Sequence, residues 1–336
     1  MASRTRFVFR ILFGLFLVAA ASVPAPAFAQ DKVVLQLNWL PSGQLSAVFV
    51  GRDRGLFTQR GIALEIRRGF GSADTVTKVA TGSADFGYVD MANLITVDDS
   101  VAGKVKAVMS LFSKSPHAII TTADKGIRSL ADFKGKTIAT SPFSSSTLFL
   151  SMVLSQAGVP PESVKIERVE AATLTPLLIQ GRVDGSVLWS PDEAFVEPLA
   201  AQAGKKSVVI PFGETGFNMY GLAAVTTAST IATKPDLVRR FVDALYASFL
   251  IMRDDPAAAA AALKKAEPQI DVGHATREAQ LTNALMFNEY SKRDGFGAFN
   301  PELLRVTYDW MVKAKQVKTV RDPESLVDRR FLPPSK

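Results

Sequence analysis

The alternation of hydrophobic and polar positions changes period several times in the first third of the chain. Residues 62–68 (IALEIRR) alternate apolar and polar, the two-residue period of a strand with one buried face. The runs 33–39, 86–89 and 105–112 are short, apolar and β-rich, which predicts buried strands. Between them, 44–57, 74–81 and 93–101 carry helical patterns. The resulting β-α-β-α order predicts a parallel sheet with helices on both faces.

The rhythm restarts after Gly135. Strands are predicted over 137–141, 164–169, 186–189 and 208–212, with helices over 146–157, around 177–180 and over 192–203. The run 219–226 reads as a further apolar strand. Beyond Thr233 the pattern is mostly helical. Leu237, Phe241, Leu245, Phe249 and Met252 mark one face of a helix over 236–253, and an alanine-rich helix over 257–265 follows Pro256. Several helix starts are written plainly. Ser190-Pro191-Asp192-Glu193 offers a serine cap, a proline in the first turn and a glutamate beyond it, and Asn300-Pro301-Glu302 repeats the cap and proline. Ser129 to Asp132 has the form of a capping box. Two α/β units and a helical tail allow either consecutive domains or a tail that returns to the first unit. The run 219–226 favours return, because it is too apolar for an exposed linker.

The first thirty residues follow another logic. Arg4, Arg6 and Arg10 precede an uncharged, mostly apolar run over 11–23, shorter than the ~20 residues a membrane span needs. Ala27-Phe28-Ala29 then puts small residues at the −3 and −1 positions of a signal-peptidase site. The expectation is a signal peptide over 1–29, in preference to an anchor helix, and a periplasmic protein. What remains suits two domains of ~150 residues. The chain has no cysteine, so it has no disulfide and no lipid-attachment thiol. The formal net charge is +7, but Lys and Arg are scattered with no basic stripe, which argues against a nucleic-acid partner.

Four stretches, in order, resemble a known family. They are Asn38-Trp39-Leu40-Pro41 with Arg54-Gly55-Leu56-Phe57 and the strand from Gly61 to Ile66; 79–88 (VATGSADFGY); 130–138 (LADFKGKTI); and Gly181-Arg182-Val183-Asp184-Gly185. Together they resemble the SsuA/THI5-like (NMT1/THI5-like) binding proteins, which serve uptake of sulfonates, nitrate and thiamine-precursor pyrimidines. The resemblance implies a periplasmic binding protein type II-like fold: two doubly wound α/β lobes joined by a two-crossing hinge that closes on ligand. Lobe 1 would comprise 31–115 and 222–336, lobe 2 116–221, with crossings near 115–120 and 220–224. It also implies an ABC permease and its ATPase as partners, membrane contact only through that permease, a monomer, and no cofactor.

Ligands in open α/β sheets bind beyond the carboxyl ends of strands. Residues just past those ends are Asn38, Trp39 and Ser42; Tyr88 and Asp90; Ser113; Phe143, Ser144 and Ser145; Trp189 and Asp192; and Tyr220 at the return crossing. Trp39, Tyr88, Phe143 and Trp189 could stack on a ring. Asn38 both donates and accepts hydrogen bonds, and Asp90 could accept from an amino or ring N–H. Backbone N–H groups at Ser144-Ser145-Ser146 could hold an anion. Each has an ordinary competing role: the tryptophans in core packing, the serines and Asp90 as caps, Asp192 against a helix dipole.

Catalytic chemistry is sparse. The two histidines, His117 and His274, are far apart and show no metal-ligand spacing, so no metal site is expected. Gly135-Lys136-Thr137 echoes a P-loop end, but Leu130 stands where its first glycine belongs, and Gly69-Phe70-Gly71 lacks the third glycine of a dinucleotide fingerprint. THI5-type pyrimidine synthases share the fold implied by the resemblance. They carry a cysteine-rich motif, which this chain lacks, and have no export signal. The expectation is therefore a clamp, not an enzyme, for a nitrogen heterocycle of the pyrimidine or thiamine-precursor type. A sulfonate- or nitrate-type anion is the runner-up, and a ligand sensor is the alternative of another class.

Overall fold

The computed structural model describes residues 30–98 and 100–334, and the expected signal peptide over 1–29 lies outside the described residues. Among the described residues, ten strands form two sheets. In chain order they are β1 (Asp31–Gln36), β2 (Ile62–Arg67), β3 (Phe86–Asp90), β4 (Val105–Ser110), β5 (His117–Thr122), β6 (Thr137–Thr140), β7 (Lys165–Arg168), β8 (Gly185–Trp189), β9 (Ser207–Pro211) and β10 (Leu222–Thr227). One sheet runs β2-β1-β3-β10-β4 and the other β7-β6-β8-β5-β9. Helices cover both, giving a two-lobed α/β molecule.

Neither sheet is purely parallel, which corrects the expectation from the β-α rhythm. β10 is antiparallel to β3 and β4, and β5 is antiparallel to β8 and β9. Each of these strands enters its sheet directly from a crossing between the lobes, with no crossover helix to turn the chain round. The run before Ile120, expected to be only a crossing, is therefore strand β5, whose six residues are all buried. The two crossings run side by side: Leu111 N–H donates to Leu222 O at 2.8 Å and Gly221 N–H to Phe112 O at 3.0 Å.

The helical tail returns to the first sheet. Helix Pro235–Asp254 buries Leu237, Phe241, Leu245, Phe249 and Met252 against it, and Phe241 stacks on Phe86 with ring centroids 3.8 Å apart. Each such large apolar side chain contributes ~1.5–3 kcal/mol by leaving water. Further along, Asp328 N–H donates to Ala107 O on β4 at 2.8 Å. The second sheet packs Leu174, Leu178 and Val196 on one face, with Ile119, Ile138 and Val153 in the core on the other.

The helices expected at strand ends prove shorter. The run 44–57 becomes a 3-10 turn, Gly43–Leu45, and a helix, Ala47–Asp53. A Cβ on Gly43 would lie 2.1 Å from Ala275 O, so this turn is pressed against helix Val272–Met286. The run 93–101 is helical only over Met91–Ile95, and 146–157 divides into a 3-10 turn, Ser145–Leu148, and a helix, Leu150–Gln156. Among the described residues no helix is long and apolar enough to cross a membrane.

Candidate functional site

The carboxyl ends of β1 and β8 bring residues of the two lobes face to face. Trp39 follows β1, is half-buried, and packs against hydrophobic clusters of both lobes. Trp189 ends β8 and meets Phe112 edge-on at 5.7 Å. Asn38, Trp39 and Gln44 from the first lobe and Ser144, Ser145, Trp189 and Asp192 from the second line a narrow cavity of about 20 Å³, room for about one water. Gly71 and Ser72 close one side. At Gly71, with φ +134°, a Cβ would lie 2.1 Å from the backbone oxygen of Phe143, so the lobes touch there backbone to backbone.

A broader cavity of about 460 Å³ opens beyond Trp39, within the range of small-molecule sites. Trp39, Leu188 and Asp192 line both cavities. The broad one adds Ser42, Arg68, Glu267, Asp271, His274 and Glu278 from the first lobe and Thr175 and Phe195 from the second.

Asp192 and Glu278 meet across this cleft. Asp192 Oδ1 accepts from Gln44 Nε2 at 2.5 Å and Oδ2 from Trp189 N–H at 2.8 Å. Glu278 Oε2 accepts from Gly43 N–H at 2.6 Å. The two carboxyl groups line the same cavity, close enough for each to influence the other's titration. Burial pushes Asp192 up to about 6, against the pull of the Trp189 and Gln44 donors. Burial pushes Glu278 well above the carboxylate range, and the neighbouring Asp192 charge adds to the rise. The pair shares a proton, held mainly by Glu278, because two buried carboxylates this close do not both ionise. Nearby, Asn38 Oδ1 and Gln44 Oε1 are buried acceptors without a donor, in residues only 2% exposed.

Seven of the twelve candidates from the sequence thus converge on the cleft: Asn38, Trp39, Ser42, Ser144, Ser145, Trp189 and Asp192. The other five line neither cavity. Tyr88 lies inside β3, fully buried near Phe249, and burial raises its phenol pKa. Asp90 caps helix Met91–Ile95, accepting from Ala92 N–H at 2.9 Å. Ser113 pairs with Asn288, at 2.9 Å from Nδ2. Phe143 is 53% exposed on the outer rim. Tyr220 packs on Phe299, and its hydroxyl accepts from Asn300 N–H at 2.6 Å.

Gln44 and Glu278 were missed by reasoning from the sequence. Glu278 sits among Ala275, Ala279 and Thr282 on the buried face of its helix. A carboxylate in an otherwise apolar stripe is the signal that marks it.

A second polar group spans the lobes at the crossings. His117 Nε2 lies 3.2 Å from Asp90 Oδ2, and its Nδ1 lies 2.7 Å from Ser146 Oγ. The three residue types are those of a hydrolase triad, but Ser146 is 0% exposed and lines neither cavity. A nucleophile needs a reachable oxygen. The arrangement ties the lobes together at their pivot. The serine cluster is also committed: Ser144 N–H donates to Ser141 O, and the cluster opens only a 3-10 turn. Among the described residues no group of His, Cys, Asp and Glu could hold a metal ion.

Known proteins share this architecture. The chain is 23% identical over 326 residues to the riboflavin-binding protein RibY of Chloroflexus aurantiacus, covering 94% of this chain and 91% of that one. The alkanesulfonate-binding protein SsuA of Xanthomonas axonopodis pv. citri, solved bound to MOPS, superposes with a TM-score of 0.69 at 16% identity, covering 90% of this chain and 98% of that one. The desulfurization enzyme DSZB has the fold as well, with a TM-score of 0.59 at 15% identity over 89% of this chain and 97% of that one, so the fold alone does not separate binding from catalysis. The NMT1/THI5-like family model matches residues 42–259, well over half of the sequence. The chain belongs to the NMT1/THI5-like family.

Proposed function

We propose that this chain is the solute-binding component of an ABC-type importer. It would be exported by a signal peptide cleaved after Ala29 and would work in the periplasm, without catalysis of its own. Lobe 1 (31–115 and 222–336) and lobe 2 (116–221) close over a small flat molecule, and the closed form delivers it to a permease driven by an ATPase. The observation that carries this reading is the cleft itself: Trp39 and Trp189 approach from opposite lobes, beside the buried amides of Asn38 and Gln44. Aromatic faces take a ring, and amides read its polar edge.

The favoured solute is a nitrogen heterocycle of the pyrimidine or thiamine-precursor type. The flavin of RibY's name contains a fused pyrimidine ring, which fits the same chemistry. A sulfonate-type anion at Ser144 and Ser145 is the second reading, motivated by their place in the narrow cavity and by SsuA. It is weaker because no Lys or Arg lines that cavity.

A thermal-shift screen of residues 30–336 against pyrimidines, flavins, alkyl sulfonates and nitrate tests this. A solute at a hundred times its Kd adds ~2.7 kcal/mol of stability. A selective shift with a heterocycle, reduced by Trp39→Ala, supports the reading. A shift with sulfonates alone favours the second one, and none with any class contradicts both.

A further inference from the structure

Every free acceptor around the narrow cavity asks for a hydrogen-bond donor. Asn38 Oδ1 and Gln44 Oε1 are buried without one. Buried acceptors left unpaired carry the full cost of lost hydration, so a bound molecule that supplies N–H groups recovers it. The adjoining broad cavity presents four carboxyl groups, Asp192, Glu267, Asp271 and Glu278, against Arg68 and His274. Other charged groups on the elements packed around the pair include Glu193 and Glu197 on helix Glu193–Gln202, Arg277 beside Glu278 on its own helix, and Lys264 and Lys265 on helix Pro256–Ala266.

We propose that the Asp192–Glu278 pair is the recognition point for a positively charged nitrogen, so that the solute is a cationic heterocycle carrying N–H donors, in preference to a neutral or anionic one. This rests on the clamp reading above and specifies the charge of what the clamp takes. On binding, the Glu278 O–H bond breaks and its proton leaves to solvent. The N–H of the solute then donates to the two carboxylates, and the cation offsets the charge the proton had masked. Gln44 and Asn38 accept from the ring's other N–H groups.

Isothermal titration calorimetry in two buffers of different ionisation enthalpy tests this with a charge series near pH 6. The probes are 2,4-diaminopyrimidine as cation, uracil as its neutral counterpart and orotate as anion, with 9-aminoacridine and riboflavin as cationic and neutral tricycles. At matched ring size the cation should bind at least about tenfold more tightly than the neutral ring, with orotate weakest and net proton release accompanying the cation. Glu278→Gln keeps an acceptor for Gly43 N–H and should bind the cation with that release reduced. The double variant Asp192→Asn with Glu278→Gln should lose the preference for cations while keeping neutral-ring binding that Trp39→Ala weakens.

Neutral or anionic rings that match the cation in wild-type protein, with Trp39→Ala still weakening them, would overturn the charge assignment and leave the clamp standing. Unchanged cation preference in the double variant would also overturn it. No binding by any probe would bring down both readings.

Discussion

At the pivot, Asp90, His117 and Ser146 join the lobes in a closed chain, with His117 3.2 Å from Asp90 and 2.7 Å from Ser146 and all three side chains sealed from both cavities. At the cleft, Asp192 and Glu278 also join the lobes, but two acids share one proton and the amide oxygens beside them have no donor. The pivot sets an acid, an imidazole and a hydroxyl in complementary order, walled in by the aromatic rings of Phe149, Phe212 and Phe217, although Asp90 Oδ2 and His117 Nε2, 3.2 Å apart, make no hydrogen bond. The cleft repeats one charge sign and leaves acceptors open beside a cavity. Complementary groups sealed among rings hold structure, whereas open acceptors that border a cavity can be completed by something else. That access to a cavity separates a fastening from a candidate site more sharply than residue type does, since the pivot has the residues of a triad and the cleft does not.

The comparison is broken most severely at the pivot. His117→Ala empties the space of a buried ring packed among Phe149, Phe212 and Phe217 and takes away the neighbour of Asp90; it should destabilise the protein by ~3–5 kcal/mol, read from urea unfolding midpoints. A loss below about 1 kcal/mol would show that the pivot contacts matter little.

The cleft should instead show itself in pH dependence. Asp192 rises from 3.8 to about 6 in the folded protein, and Glu278 is raised as well. A raised folded-state pKa gives stability that is fully present below the unfolded value and lost as pH climbs through the folded one. Asp192 therefore withdraws on the order of 2–3 kcal/mol between about pH 4 and a little above 6. Glu278→Gln removes the raised titration of Glu278 itself and should make the loss of stability between about pH 5 and pH 8 smaller, measured by denaturation at those two values. A curve identical to wild type would mean that Glu278 is not raised in the folded protein.

Smaller effects sharpen the contrast between wall and rim. Trp39→Ala should weaken a bound heterocycle by about 1 kcal/mol, close to fivefold in Kd by calorimetry. Phe143→Ser, at a residue 53% exposed outside both cavities, should change stability by less than ~0.5 kcal/mol and leave solute affinity as it was.

Much of this architecture could be read from local pattern. The alternation over 62–68 is strand β2, the stripe from Leu237 to Met252 is a buried helix face, and the apolar run before Thr227 is the strand that returns the chain to the first sheet. β5 was hidden because a buried strand directly after Pro116 looks, in sequence, like an apolar crossing. Site residues were legible where they lie past the true end of a strand. The strand expected over 33–39 already stops at Gln36, so Asn38 and Trp39 turn into the cleft, whereas β3 runs one residue beyond the expected 89, to Asp90, so Tyr88 obeys the pleat and points into the core. Gln44 and Glu278 escaped because their meaning lies in contacts across the fold. Glu278 bonds Gly43, 235 residues away, and no periodicity encodes such a distance.

The central claim is that the two lobes close on a solute. The chain has no cysteine, so Ala172→Cys and Gln269→Cys, both exposed at opposite edges of the broad cavity, can carry paired spin labels on otherwise unlabelled protein. Pulsed-EPR distances between them, taken with and without the tightest-binding member of the charge series, report closure directly. A broad distribution that narrows to its shortest component on binding is the expected result. The same distribution with and without saturating solute would contradict the clamp.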